Sequence, residues 1–370
     1  MATTNPSTLG TSNQNGTGKQ TLTPQQRAVL FAQATRQNIQ TMPTQAVNAE
    51  NTTIQFNLPK VRLLSRIFLH VEATATLTST AATIATSAFS PFNILRRVSL
   101  DLNNGFSPLT LDGGSLYLYN KLRLNSNTLD VQTNIKGNTY VENIAAAGGH
   151  DNKIRFTIDL PITLNERDGV GFILLQNDES VITLTCDIST LAQAYTLNAG
   201  NGDAVTFKNM TITPMIETFS IPPIAQAFPD ISVLKLVSSK SDIFQGGGTS
   251  VIKLPVGTIY RKIIMRFVDN TGAALTDDSF TGNIELVFNQ ADTPYSMKPQ
   301  ILSAWNHQTY GNVMPAGTYV LDLSNNGIPN LGGSRDYIDS ERLTELWVRF
   351  NANVAGTITV ISETLSRLSS

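Results

Sequence analysis

From Arg66 to Thr78 the chain alternates almost without a break. Ile67, Leu69, Val71, Ala73, Ala75 and Leu77 fall on one side of an extended backbone, and Arg66, His70, Glu72, Thr74, Thr76 and Thr78 on the other. A period of two predicts a strand with one buried and one polar face, and Phe68 is its only apolar exception on the polar side. The same alternation returns at Val98/Leu100/Leu102, Ile154/Phe156/Ile158/Leu160, Ile182/Leu184/Cys186/Ile188, Ile284/Leu286/Phe288, Tyr319/Leu321/Leu323, Leu346/Val348/Phe350 and Ile358/Val360. Turn formers such as Gly148-Gly149 and Gly246-Gly247-Gly248 separate these runs. Many short strands, few helices and polar loops predict an all-β, antiparallel sandwich architecture.

One pattern occurs twice. Phe56–Val71 reads FNLPKVRLLSRIFLHV and Ile252–Phe267 reads IKLPVGTIYRKIIMRF. Aligned without a gap, Leu58-Pro59 matches Leu254-Pro255, Arg66-Ile67 matches Lys262-Ile263, and the exception Phe68 falls on Ile264. Between the copies, Pro214–Pro229 (PMIETFSIPPIAQAFP) carries four prolines, which disfavour helix interiors and central strands alike. These features predict a duplicated β-sandwich of roughly eight strands per unit: a first unit over 50–213, a proline-rich linker over 214–230 and a second unit with a C-terminal arm over 231–370. Each unit is expected to open on the Leu-Pro strand pair.

Ahead of the first unit, residues 1–21 are mainly Thr, Asn, Ser, Gly and Gln and predict a mobile polar tail. In residues 22–49, Thr23, Pro24 and Gln26 form a capping-box start, and the composition predicts a helix to about Gln40 before Pro43 ends the run. Ala28, Phe31, Ala32, Ile39 and Met42 give it a thin apolar stripe with Arg27 and Arg36 beside it. The candidate contact residues are therefore Arg27, Phe31, Arg36 and Ile39. A lipid headgroup layer or another copy of the chain would each suit them.

Charge and composition narrow the function by exclusion. Lys+Arg 26 against Asp+Glu 28 gives a net charge of −2, which supplies no global attraction for nucleic acid. Residues 1–49 hold Lys19, Arg27, Arg36 and no acid, so that segment is net positive while the remainder is net negative. Cys186, the single cysteine, excludes an intrachain disulfide, and its place between Leu184 and Ile188 reads as a buried hydrophobe. The N-terminus lacks a secretory apolar core, so a soluble chain made in a reducing cytoplasm is expected. His70, His150 and His307 stand apart without metal-ligand spacing, and no nucleophile elbow, phosphate loop or calcium loop occurs. Neither enzyme chemistry, a metal nor a cofactor is expected. Trp305, in KPQILSAW, marks a short helical insertion in the second unit.

Three stretches carry a family likeness. Leu22-Thr23-Pro24-Gln25-Gln26 with the helix behind it, Phe89-Ser90-Pro91-Phe92-Asn93-Ile94-Leu95-Arg96-Arg97-Val98, and the Ile221-Pro222-Pro223 linker followed by the Trp305 helix resemble, in order, segments of tectivirus-type major capsid proteins. That family comprises the double-jelly-roll coats of membrane-containing icosahedral phages. The resemblance implies two consecutive eight-stranded jelly rolls. It also implies pseudo-hexagonal homotrimers that tile an icosahedral virion shell, with the N-terminal helix at the inner surface next to lipid. The implied partners are the chain itself, minor capsid and vertex proteins and the inner viral membrane, without sequence-specific nucleic-acid binding. The alternative on the residues alone is a non-enzymatic β-sandwich that binds a receptor or carbohydrate.

Overall fold

The computed structural model describes residues 24–103, 105–124, 129–131, 138–142, 148–164, 171–176, 181–229, 231, 233–324 and 338–367. The expected tail over 1–21 and the capping residue Thr23 lie outside these. Eight main strands build the first unit: β1 Gln37–Thr41, β2 Thr53–Asn57, β3 Leu63–Thr78, β4 Leu95–Leu102, β5 Phe106–Leu111, β6 His150–Pro161, β7 Ile182–Ile188 and β8 Ala204–Phe219. They pair antiparallel as two sheets, in the orders β1-β8-β3-β6 and β2-β7-β4-β5.

The second unit repeats the plan strand for strand. Its members are β9 Val233–Phe244, β10 Gly248–Leu254, β11 Ile259–Asp269, β12 Ile284–Phe288, β13 Asp292–Met297, β14 Thr318–Asp322, β15 Leu346–Ala352 and β16 Gly356–Arg367. The sheets run β9-β16-β11-β14 and β10-β15-β12-β13. Each strand of the first unit thus has its equivalent eight places later, and each unit is an eight-stranded jelly roll. A helix follows the fifth strand in both: α2 Gly113–Lys121 and α3 Pro299–Tyr310, numbered after α1 Pro24–Ala34. The rolls join where β5 pairs in parallel with β9, Leu109 facing Val237 and Thr110 facing Ser238.

The duplicated Leu-Pro marks the step from one sheet to the other. Leu58 ends the β2 ladder by donating its N–H to the Ile182 carbonyl, 2.9 Å away. Pro59 has no N–H to continue the ladder, so the chain leaves the sheet and returns as β3 in the opposite one. Leu254 and Pro255 do the same between β10 and β11. The repeat therefore covers the second and third strands of each roll, not the opening pair, because β1 and β9 precede it.

Two further expectations are corrected. Residues 214–219 are strand, not linker: β8 runs through Pro214, whose carbonyl accepts from Met42, to Phe219. The missing N–H of one proline is tolerated, and the connection between rolls begins at Ser220. At the other end β16 stays paired to Arg367, opposite Val233, so no separate C-terminal arm precedes that residue.

The cores differ in kind. The first is mostly aliphatic, with Leu69, Val71, Ile158 and Leu184 at 0% exposure. The second surrounds Phe267 with Phe244, Phe280, Phe350 and Tyr319, ring centroids lying 4.8–6.1 Å from it, in the edge-to-face arrangement that aromatic quadrupoles favour.

Candidate functional site

A buried polar assembly lies where the two rolls meet, and it starts with a helix. Asp112 caps α2 by accepting from the Ser115 N–H at 2.8 Å. Gly113 is required there: a Cβ on it would lie 1.8 Å from the Phe92 carbonyl oxygen. All nine residues of α2 are buried. Asn120 ties the helix to the first roll, its Nδ2 donating to the Leu116 and Asp159 carbonyls at 2.9 Å each. Tyr119 reaches the other way, donating its hydroxyl to Glu363 Oε2 of the second roll at 2.5 Å.

Glu363 gathers charge around it. Arg261 Nε lies 3.0 Å from its Oε1, and Lys235 donates across the seam to the Thr163 carbonyl at 2.7 Å. Burial raises the Glu363 pKa, but Lys235, Lys262 and Arg261 outweigh it and hold the carboxyl below its usual range. Burial drives the Lys235 amine down to about 7, against the opposing pull of Glu363 and Asp159. Asp159 moves up because its desolvation exceeds the help of Arg123 and Arg66. Asn312 donates to the Lys121 and Leu124 carbonyls at 3.2 and 3.1 Å, and the Arg266 guanidinium stacks on Phe89, 4.0 Å from the ring centroid. The Phe89–Val98 stretch singled out by resemblance thus sits at the junction of the rolls. Glu363, Asp159 and Lys235 are buried, so their desolvation offsets much of what the ion pairs contribute to stability.

The N-terminal residues separate into different roles. Helix α1 ends at Ala34, short of the expected Gln40, and residues 37–41 are strand, because their backbone groups find partners along β8 from Met215 to Phe219. Phe31 is 8% exposed, its ring centroid 5.2 Å from Phe172 and 5.6 Å from Phe219. It is part of this chain's own packing and is not offered outward. Arg36 is exposed; its backbone exchanges hydrogen bonds with Ser220, at 2.9 Å to Oγ and 3.0 Å from its N–H. Arg27 is half-buried, and Ile39, on β1 rather than on a helix, is 55% exposed. Of the other residues weighed, His70 pairs with Thr157 at 2.8 Å, Trp305 packs half-buried on the second core, and Cys186 is fully buried.

Sequence reading missed α2 and two more internal repeats. MIETFS at 215–220 matches ISETLS at 361–366, and LYLYN at 116–120 matches LSAWN at 302–306. The first places Glu217 opposite Arg66, and Glu363 opposite Lys262, each beside a bulge at the same place in the ladder. The second pairs Asn120 with Asn306, which bonds both the N–H and the carbonyl of Val320, at 2.9 and 2.7 Å. A shared Glu-Thr or Leu-x-x-aromatic-Asn is too short to stand out before the strand equivalence is known.

At the sequence level no family model and no curated protein matches the chain. Solved structures do. The major capsid protein of Sulfolobus turreted icosahedral virus superposes with a TM-score of 0.68 at 13% identity, over 90% of this chain and 97% of that one. The PBCV-1 capsid protein gives 0.64 at 11% identity, over 90% and 94%. The major capsid protein P2 of bacteriophage PM2 gives 0.53 at 13% identity, over 90% and 98%. At such identities the likeness speaks for the fold, and over nine-tenths of its length this chain has the double-jelly-roll fold of those capsid proteins.

Proposed function

We propose that the chain is a major capsid protein that forms homotrimers and tiles an icosahedral shell. The observation that carries this reading is the duplication itself. One chain presents two rolls of identical strand order, locked side by side, so three chains in a head-to-tail ring offer six similar shapes to a lattice. The receptor- or carbohydrate-binding alternative accounts for one sandwich and leaves the second, and the rigid seam, without a use. The exposed Arg36 and half-buried Arg27 suit an inner surface facing anionic lipid, and minor proteins would complete the vertices.

Sedimentation of the purified chain and electron microscopy at high concentration test the coat reading: trimers and closed shells or sheets are expected, and a chain that stays monomeric at all concentrations overturns it. Deletion of the N-terminal segment is informative only if it spares α1 and β1. A chain beginning at residue 24 is expected to form trimers but no shells, and intact particles from it would refute a role for the tail in shell formation.

A further inference from the structure

Several strands end their sheets among the described residues; besides β2, β10 and β14 they include β1 in the first roll and β13 in the second. The equivalents of β1 and β13, namely β9 and β5, are the pair that closes the seam. An open, straight strand edge is a template for pairing with another chain. Here the molecule itself contains the pattern that such pairing would follow.

The register makes the comparison residue by residue. Across the second roll's outer face run Ser239, Ile361, Ile264 and Val320, and across the first run Thr41, Met215, Phe68 and Asp159. One step along, Val237, Glu363 and Lys262 match Ile39, Glu217 and Arg66. In the second roll the apolar members are covered by the seam: Val237, Ile264 and Ile361 are each 1% exposed. In the first roll Ile39 is 55% exposed, and Phe68 and Met215 are half-buried. The helices differ in the same sense. Helix α2 is wholly buried at the junction, packed on the first roll and reaching the second through Tyr119, whereas α3 buries only Pro299, Leu302 and Asn306 and leaves Ile301 58% exposed. Phe68, the lone apolar residue on a polar strand face, thereby acquires a reason.

We infer that the outer face around Ile39, Met215 and Phe68 receives a second copy of this chain, whose β13 adds in parallel to β1 and whose α3 reaches that face as α2 reaches the second roll. The inference rests on the coat reading and names the surfaces that reading would use. The internal seam sets the register: Leu109 beside Val237 becomes Tyr295 of one copy beside Ile39 of the next, because Leu109 pairs with Leu100 as Tyr295 pairs with Leu286. The arrangement is head to tail, so each chain has one donor end and one acceptor face.

The test uses the full chain and three single variants, with sedimentation equilibrium and thermal melting as readouts. Ile39→Asp breaks the acceptor face, Ile301→Asp breaks the donor helix, and Val29→Asp, on exposed α1, is the control. The acceptor and donor variants are each expected to weaken self-association about 30-fold or more per interface, as loss of a central contact does, with unchanged melting. Mixed together they should give a dimer that goes no further, since one intact donor end meets one intact acceptor face. Trimers as tight as wild type in both variants would overturn the assigned surfaces and leave the coat reading standing. A wild-type chain that is monomeric throughout would overturn both.

Discussion

Helices α2 and α3 occupy the same place in two rolls of one design, and both are anchored by a buried asparagine to the sixth strand of their own roll. One is entirely enclosed, and the other buries only three of its twelve residues. The difference is one of neighbours: α2 has a second roll beside it and α3, within a single chain, has none. Sequence records this too. The residue that crosses the seam from α2 is Tyr119, and the one at the same place on α3 is Trp305, which is half-buried. Burial in one copy therefore indicates what the other copy's exposed surface is built for.

Substitutions at equivalent positions can break or sharpen that comparison. The largest effect is expected from Glu363→Ala, which strands Lys235, Lys262 and Arg261 in the seam and should cost about 3–5 kcal/mol in chemical denaturation. Its counterpart Glu217→Ala should cost far less, because Arg66 is 26% exposed and can turn to water. Equal losses would mean that the two bulges are not differently enclosed. Phe267→Ala, at the centre of the aromatic cluster, is expected to lose about 3–5 kcal/mol. Val71→Ala, at the matching position of the aliphatic core, removes less volume and should lose clearly less.

Next in size, Asn306→Ala leaves two backbone groups of Val320 unpaired in a site 2% exposed and should cost about 1–3 kcal/mol. Asn120→Ala is expected to fall in the same range, and the melting temperatures of the two variants check the equivalence.

The smallest effect is a slope. Lys235, with its folded pKa near 7 against 10.5 unfolded, binds its proton less readily in the folded state. Its unfavourable contribution is full below pH 7 and is relieved as pH rises from 7 towards 10.5, so stability gains at most about 1.4 kcal/mol per pH unit from this group. Denaturation of wild type and Lys235→Met at pH 7 and pH 9 should show a smaller gain for the variant. An identical gain would place the lysine charge in contact with water.

How much of the fold is legible in the sequence depends on the signal. Alternation located β3, β4, β6, β7, β12, β14, β15 and β16, because one face of each meets an apolar core. Strand β1 reads as helix in the sequence, since QNIQT carries no alternation and becomes strand only through the hydrogen bonds that β8 supplies. Pro214 reads as linker in the sequence because a proline's missing N–H is costly in most central strands, though not at this position. Helix α2 is not legible because GGSLYLYNK shows no amphipathic period and opens on two glycines, which local propensity counts against. Ile39, a contact candidate of the expected helix, lies on strand β1. Its exposed side chain gained meaning only when β1 was matched to β9.

The central claim, that the seam inside one chain is repeated between chains, is tested most directly by a covalent link in the register it dictates. A variant carrying both Ile39→Cys and Tyr295→Cys should, on mild oxidation, give a non-reducing gel ladder that stops at three chains; the native Cys186 does not compete, since burial pushes its thiol up to about 12. Uncrosslinked chains from a protein that sediments as a trimer, or a ladder that continues past three, would contradict the account.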